Sequence, residues 1–277
     1  MASSTILLET LLLKSIILIN KLSYEKGLVT PYRRNRLCAY LDAVPEIIDE
    51  HWLPDNSKHY IITSQIYNVQ QIPAHFQYEL SDFFRFADII CSRAETIVAT
   101  SKLLYEYACK YNKNVILSHN GTAIESGPIC ISHNAPAICP YGAKEKYDGR
   151  CLPTLLHNVV VSNNKISSAD KYLYDKAGIL YSEKFIPATE WHNYSMVVMN
   201  SKPGFYNECQ DNLKYYDGIA KGLPLLSLSS ATSVLDHPYV FTKKEDVRWP
   251  SMEEVNYYRK KYNWREVFKE YANELYK

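Results

Sequence analysis

Two residues near the start of a helical pattern, Lys214 and Asp217 in DNLKYYDGIAKGLPLLSL, have types and spacing suited to chemistry. A carboxylate there can accept both hydroxyls of a ribose, and a lysine beside free backbone amides can meet phosphates. The alternative is an ordinary i,i+3 surface pair. A second group lies in CPYGAKEKYDGRCL, residues 139–152, where Gly142 sits at the turn from strand to loop and Lys144, Lys146 and Arg150 follow. A glycine there lets a diphosphate approach the backbone, although glycines with scattered lysines also form plain solvated turns. His119, beside Asn120 and Gly121 at the end of a strand, is suited to donate a hydrogen bond; an ordinary turn histidine is the competing reading. His133, His157 and His192 have no partners at metal-ligand spacing, so no metal is expected.

Short apolar runs that alternate with helical patterns position these residues. Strands are expected at 60–63, 96–99, 115–117, 159–161, 195–199, 225–228 and 239–241, with helices over 101–111 and 211–221, which is the signature of an α/β fold with parallel sheets. Gly222 and Pro224 close the second of these helices. Ser251 and Glu254 form a capping box that opens a long terminal helix, with a break near Asn263. The stripe of Leu7, Leu8, Leu11, Leu12, Ile16 and Leu18 predicts an amphipathic helix at the start of the chain, docked on the first domain, with attachment to a membrane surface as the alternative. Gly, Pro, Ser and Asn gather over 120–141, which sets an expected boundary between domains 1–134 and 135–277.

Composition narrows the function classes. The chain has 277 residues, and its formal net charge of +1 supplies no global field for nucleic acid, so no nucleic-acid partner is expected. Seven cysteines without a CxxC pair fit neither a disulfide framework nor a zinc site and suggest a reduced, cytoplasmic setting. The 24 tyrosines are read as compositional drift. No P-loop, GxGxxG, GxSxG or HExxH occurs.

Three ordered segments nevertheless resemble one family. AETIVATSKLLYEYACKYNKNVILSHNGT is similar to ADLVIATSKLLYE…NVILIPNGVD, CPYGAKEKYDGRCL to YYGAIxEWFD, and KYYDGIAKGLPLLSL to KLYEYLAAGKPVVST. These patterns belong to GT-B glycosyltransferases of the glycosyltransferase family 4 type, in particular bacterial members acting on surface polysaccharide and cell-envelope precursors. The resemblance runs from about residue 37 to the end. It implies two Rossmann-like domains facing a cleft, an abbreviated N-domain on the acceptor side, a nucleotide-sugar site in the C-domain and a terminal helix that crosses back. It further implies transfer of a sugar, with retention, from a nucleotide-diphosphate donor to a saccharide or lipid-linked acceptor. No cofactor is implied, and peripheral contact with the inner face of the membrane or a partner subunit would fit. Asp217 stands where the group has the ribose-binding glutamate, Lys214 at the matching position before it, and Gly142 with Lys144 at the phosphate loop. LDAVPEII resembles a CDDWPEF-like segment, which makes Asp42 a catalytic candidate with His119. Nothing before residue 37 resembles the group's opening strand, glycine-rich loop and helix. A non-catalytic nucleotide-sugar-binding or partner subunit derived from such an enzyme is therefore the alternative.

Overall fold

The computed structural model describes residues 16–21, 44–63, 66–81, 86–130, 132–140, 158–162, 166–199, 213–228 and 237–275. They form two compact units, one of residues 1–120 with 268–277 and the other of residues 121–267. The division at 120/121 falls at the start of the stretch 120–141 that marks the expected boundary.

In the first unit, β1 (Ile16–Asn20), β2 (Val44–Ile48), β3 (Tyr60–Ile62), β4 (Phe76–Leu80), β5 (Thr96–Ala99) and β6 (Val115–Leu117) make one parallel sheet in the order β2-β1-β3-β4-β5-β6. Helices α1 (Ala87–Arg93) and α2 (Lys102–Ala108) join β4 to β5 and β5 to β6. Ser101 caps α2, its hydroxyl accepting from Leu104 N at 3.3 Å, and Leu104 and Ala108 turn inward.

β1 corrects the helix expected over the first twenty residues. Ile16 and Leu18 lie on a strand that pairs with Val44 and Glu46 on one side and with Tyr60 and Ile62 on the other. A short apolar run such as IILIN fits either a buried strand or part of a helix, and the two flanking strands supply the partners that decide it. Leu7, Leu8, Leu11 and Leu12 lie outside the described residues. Among the described residues no helix is long and apolar enough to cross a membrane.

The second unit repeats the scheme. Strands β7 (Ala137–Pro140), β8 (Val159–Ser162), β9 (Leu180–Ser182), β10 (Val197–Met199), β11 (Leu225–Ser227) and β12 (Val240–Phe241) are all parallel, in the order β12-β11-β10-β7-β8-β9. Such a sheet must be covered on both faces, and its side chains divide accordingly. Ala137, Cys139, Met196, Val198 and Leu226 pack on one face with Tyr174 of α3 (Ser168–Ala177). Ile138, Val197 and Leu225 pack on the other with Tyr215, Tyr216 and Ile219 of α4 (Leu213–Ala220).

Several tyrosines carry this core. Tyr215 and Tyr216 are almost fully buried, and the Tyr215 hydroxyl donates to Pro238 O at 2.7 Å. Tyr262 stacks on Tyr258 with ring centroids 5.7 Å apart. The capping box forms as expected and opens α5 (Met252–Lys261), and the chain breaks at Asn263 before α6 (Trp264–Leu275). Gly222, at φ +74°, ends α4.

Candidate functional site

Counted in chain order, the second sheet reads 6-5-4-1-2-3, the doubly wound order of dinucleotide-binding folds. Its order reverses between β7 and β10, and ligands of such sheets sit beyond the C-terminal ends of the strands at that switch. β7 ends at Pro140 and β10 at Met199. Gly142 and Lys144 follow Pro140 by two and four residues and lie outside the described residues, as does Asp42.

α4 carries two of the three candidates that are described, Lys214 and Asp217. The helix lies against β10 and β11. Gly218 makes that approach possible, because a Cβ there would stand 3.0 Å from Val197 Cγ2. The ammonium of Lys214, in the first turn, acts on the thiol of Cys139 near the end of β7. Burial pushes that thiol up to about 12 and the Lys214 charge opposes the shift, so Cys139 stays a protonated core residue.

Asp217, one turn further on, is half-buried and accepts the Thr122 hydroxyl at Oδ1, 2.6 Å away. Two cations flank this region. Lys221 is 3 % exposed. Burial pushes its ammonium below the usual lysine range, the Arg259 charge adds to the effect, and Asp217 works against it. Arg259 spends two donors on carbonyls, Nε to Ala220 O and NH2 to Gly127 O, each at 2.8 Å. Lys221 thus interacts with the Asp217 carboxylate, while Arg259 is tied to the C-terminal end of α4 through Ala220 O.

Sequence reasoning missed Thr122, Lys221 and Arg259. A signal existed for Thr122: the resembling pattern NGVD carries an apolar residue where this chain has threonine. Nothing in the local sequence marked Lys221 or Arg259; the hydrogen-bond partners of Arg259, Ala220 and Gly127, lie 39 and 132 positions away.

His119 belongs to the first unit, just past β6. Its Nδ1 lies 3.1 Å from Thr100 O. A carbonyl only accepts, so Nδ1 carries a proton, and in the neutral ring Nε2 is an acceptor that becomes a donor only in the imidazolium form.

Two cavities lie elsewhere in the second unit. One of about 360 Å³ is lined by Glu125, Asn256, Arg259, Lys260, Asn263, Arg265 and Glu266. The other, of about 300 Å³, lies at the N-terminal edge of the sheet, where His133 stacks on Trp249 at 4.1 Å. Neither is lined by Lys214 or Asp217, and sheet topology is the better guide to a nucleotide in a doubly wound unit. Among the described residues no three His, Cys, Asp or Glu side chains gather as a metal site would require.

No family model matches the chain, and no curated protein does. A solved structure is similar in fold: a mutant of S. aureus TarM, in complex with fondaparinux, alpha-GlcNAc-glycerol and UDP. The similarity has a TM-score of 0.52 at 8 % identity and covers 79 % of this chain. The chain spans 55 % of the length of that structure. The fold is accordingly α/β and GT-B-like, with two parallel Rossmann-like sheets.

Proposed function

We propose that the protein is a glycosyltransferase that takes a sugar from a nucleotide-diphosphate donor and passes it to a saccharide or lipid-linked acceptor, with retention of configuration. One observation carries the reading: α4, which bears Lys214 and Asp217, packs against β10, one of the two strands that flank the switch of a doubly wound parallel sheet. Asp217 accepts the ribose hydroxyls. Lys214, with Gly142 and Lys144 from the residues that follow β7 in sequence, meets the diphosphate. Charge develops on the departing diphosphate as the glycosidic bond breaks, and cations fixed beforehand stabilise it without reorganising. His119 and Asp42 are the catalytic candidates contributed by the first unit. The fold similarity to a protein solved with UDP and sugar ligands supports the donor class. The proposal extends to peripheral contact with the inner face of the membrane and to a partner subunit, both implied by the sequence resemblance alone.

Calorimetry with UDP, GDP and their sugars tests the donor site. Asp217→Ala should lose about 1–3 kcal/mol of affinity, the usual cost of removing a charged hydrogen-bond partner. Unchanged affinity in the variant would remove the ribose role. Sugar release, measured with and without a lipid-linked acceptor, then separates transferase from binding protein: donor binding without turnover favours the non-catalytic alternative.

A further inference from the structure

We infer that Thr122 is the positioning residue for the Asp217 carboxylate, holding it ready for the two hydroxyls of a ribose. The inference rests on the donor-site reading above.

Thr122 is fully buried, and each of its polar groups is committed. Its N–H donates to Tyr262 O at 2.7 Å, and its carbonyl accepts from Trp264 N at 3.0 Å. Its hydroxyl oxygen accepts from Ile124 N at 3.1 Å. The one hydroxyl proton is thereby directed to Asp217 Oδ1 at 2.6 Å. A β-branched side chain on a backbone tied at both ends has little rotamer freedom, so the donor does not move.

Holding the carboxylate in place before the ligand arrives removes part of the ordering cost of binding. Lys221, just past the end of α4, adds attraction from its ammonium. Two departures from the resembling pattern meet in this contact. Aspartate replaces the longer glutamate at 217, and threonine replaces an apolar residue at 122. The shorter acid reaches less far, and the hydroxyl fixes where it points.

The test is a double-mutant cycle on the full chain with UDP as the probe, GDP in parallel, and thermal melting of every variant. Thr122→Val should weaken UDP binding about tenfold. Thr122→Ser, which keeps the hydroxyl, should restore it to within about twofold. Asp217→Asn should also weaken binding, and the double variant should bind no worse than Asp217→Asn alone, because Thr122 acts through the carboxylate. Should the buried valine prevent folding, Thr122→Ala replaces it in the cycle. If the parent binds UDP while Thr122→Val leaves affinity unchanged, or if the two losses simply add, the positioning role is overturned and the donor site stands. No UDP or GDP binding by the parent overturns both.

Discussion

Gly218 shows two residue-level preferences in conflict. Within a helix it is worth up to about 1 kcal/mol less than alanine. A Cβ at that position would nevertheless press on Val197 Cγ2 at 3.0 Å, and Val197 is wholly buried in a central strand and must shift against its neighbours to make room. Overpacking of that kind costs about 1–3 kcal/mol, which exceeds the propensity gain. Gly218→Ala should therefore destabilise the protein by about 1 kcal/mol, read from chemical denaturation, and a more stable variant would show that α4 is not pressed against β10. The same close approach places Lys214 and Asp217, so the variant should also weaken nucleotide binding.

Among the elements, α5 has the most legible start. The Ser251 hydroxyl accepts from Glu254 N at 3.2 Å, and the Glu254 carboxylate accepts from Ser251 N at 2.7 Å and from its hydroxyl at 2.8 Å. Glu254 also accepts from the Tyr239 hydroxyl, which ties the helix to the segment entering β12. Led by the Tyr239 hydrogen bond, these contacts hold the Glu254 carboxyl at about 2, below its ordinary 4.5. A carboxyl depressed by folding contributes stability that is fully present above the unfolded value and is lost as pH falls through the folded one. The contribution should fade between about pH 4.5 and 2. Glu254→Gln should lower the melting temperature at neutral pH and flatten the decline over that acid window. An unaltered acid limb would assign the decline to other carboxylates.

At the scale of the whole molecule, the first unit is assembled from both ends of the chain. Phe268 and Tyr271 of α6 are almost fully buried in it. The Tyr271 hydroxyl donates to Glu79 Oε1 at 3.0 Å and accepts from Gln77 Nε2, and Gln77 Nε2 also donates to Glu79 at 2.6 Å. Tyr271→Phe leaves a buried carboxylate short of a donor and should cost about 1–3 kcal/mol. Removing residues 268–277 also strips the buried Phe268 and Tyr271, each worth about 3–5 kcal/mol, against a total stability of about 5–15 kcal/mol for a domain. Limited proteolysis of that truncated chain should digest the first unit while a fragment near 121–267 survives. Equal resistance of both units would contradict the assembly.

Local chemistry in the sequence determined the strands at 60–62, 96–99 and 115–117, the helices around Leu104 and Ile219, the capping box at Ser251 and the break at Asn263, because each rests on neighbours within one or two turns. The placement of Lys214 and Asp217 on one helix was legible for the same reason. Tertiary structure decided the rest. β4 carries Gln77 and Glu79, two polar residues that look like a solvent face, and they are buried only because Tyr271 arrives from the far end of the chain to bond them. β1 became a strand through partners at 44–48 and 60–62, beyond the reach of any local periodicity. Asp217 likewise meets Thr122, and Ala220 at the end of α4 meets Arg259, through the packing of elements far apart in sequence.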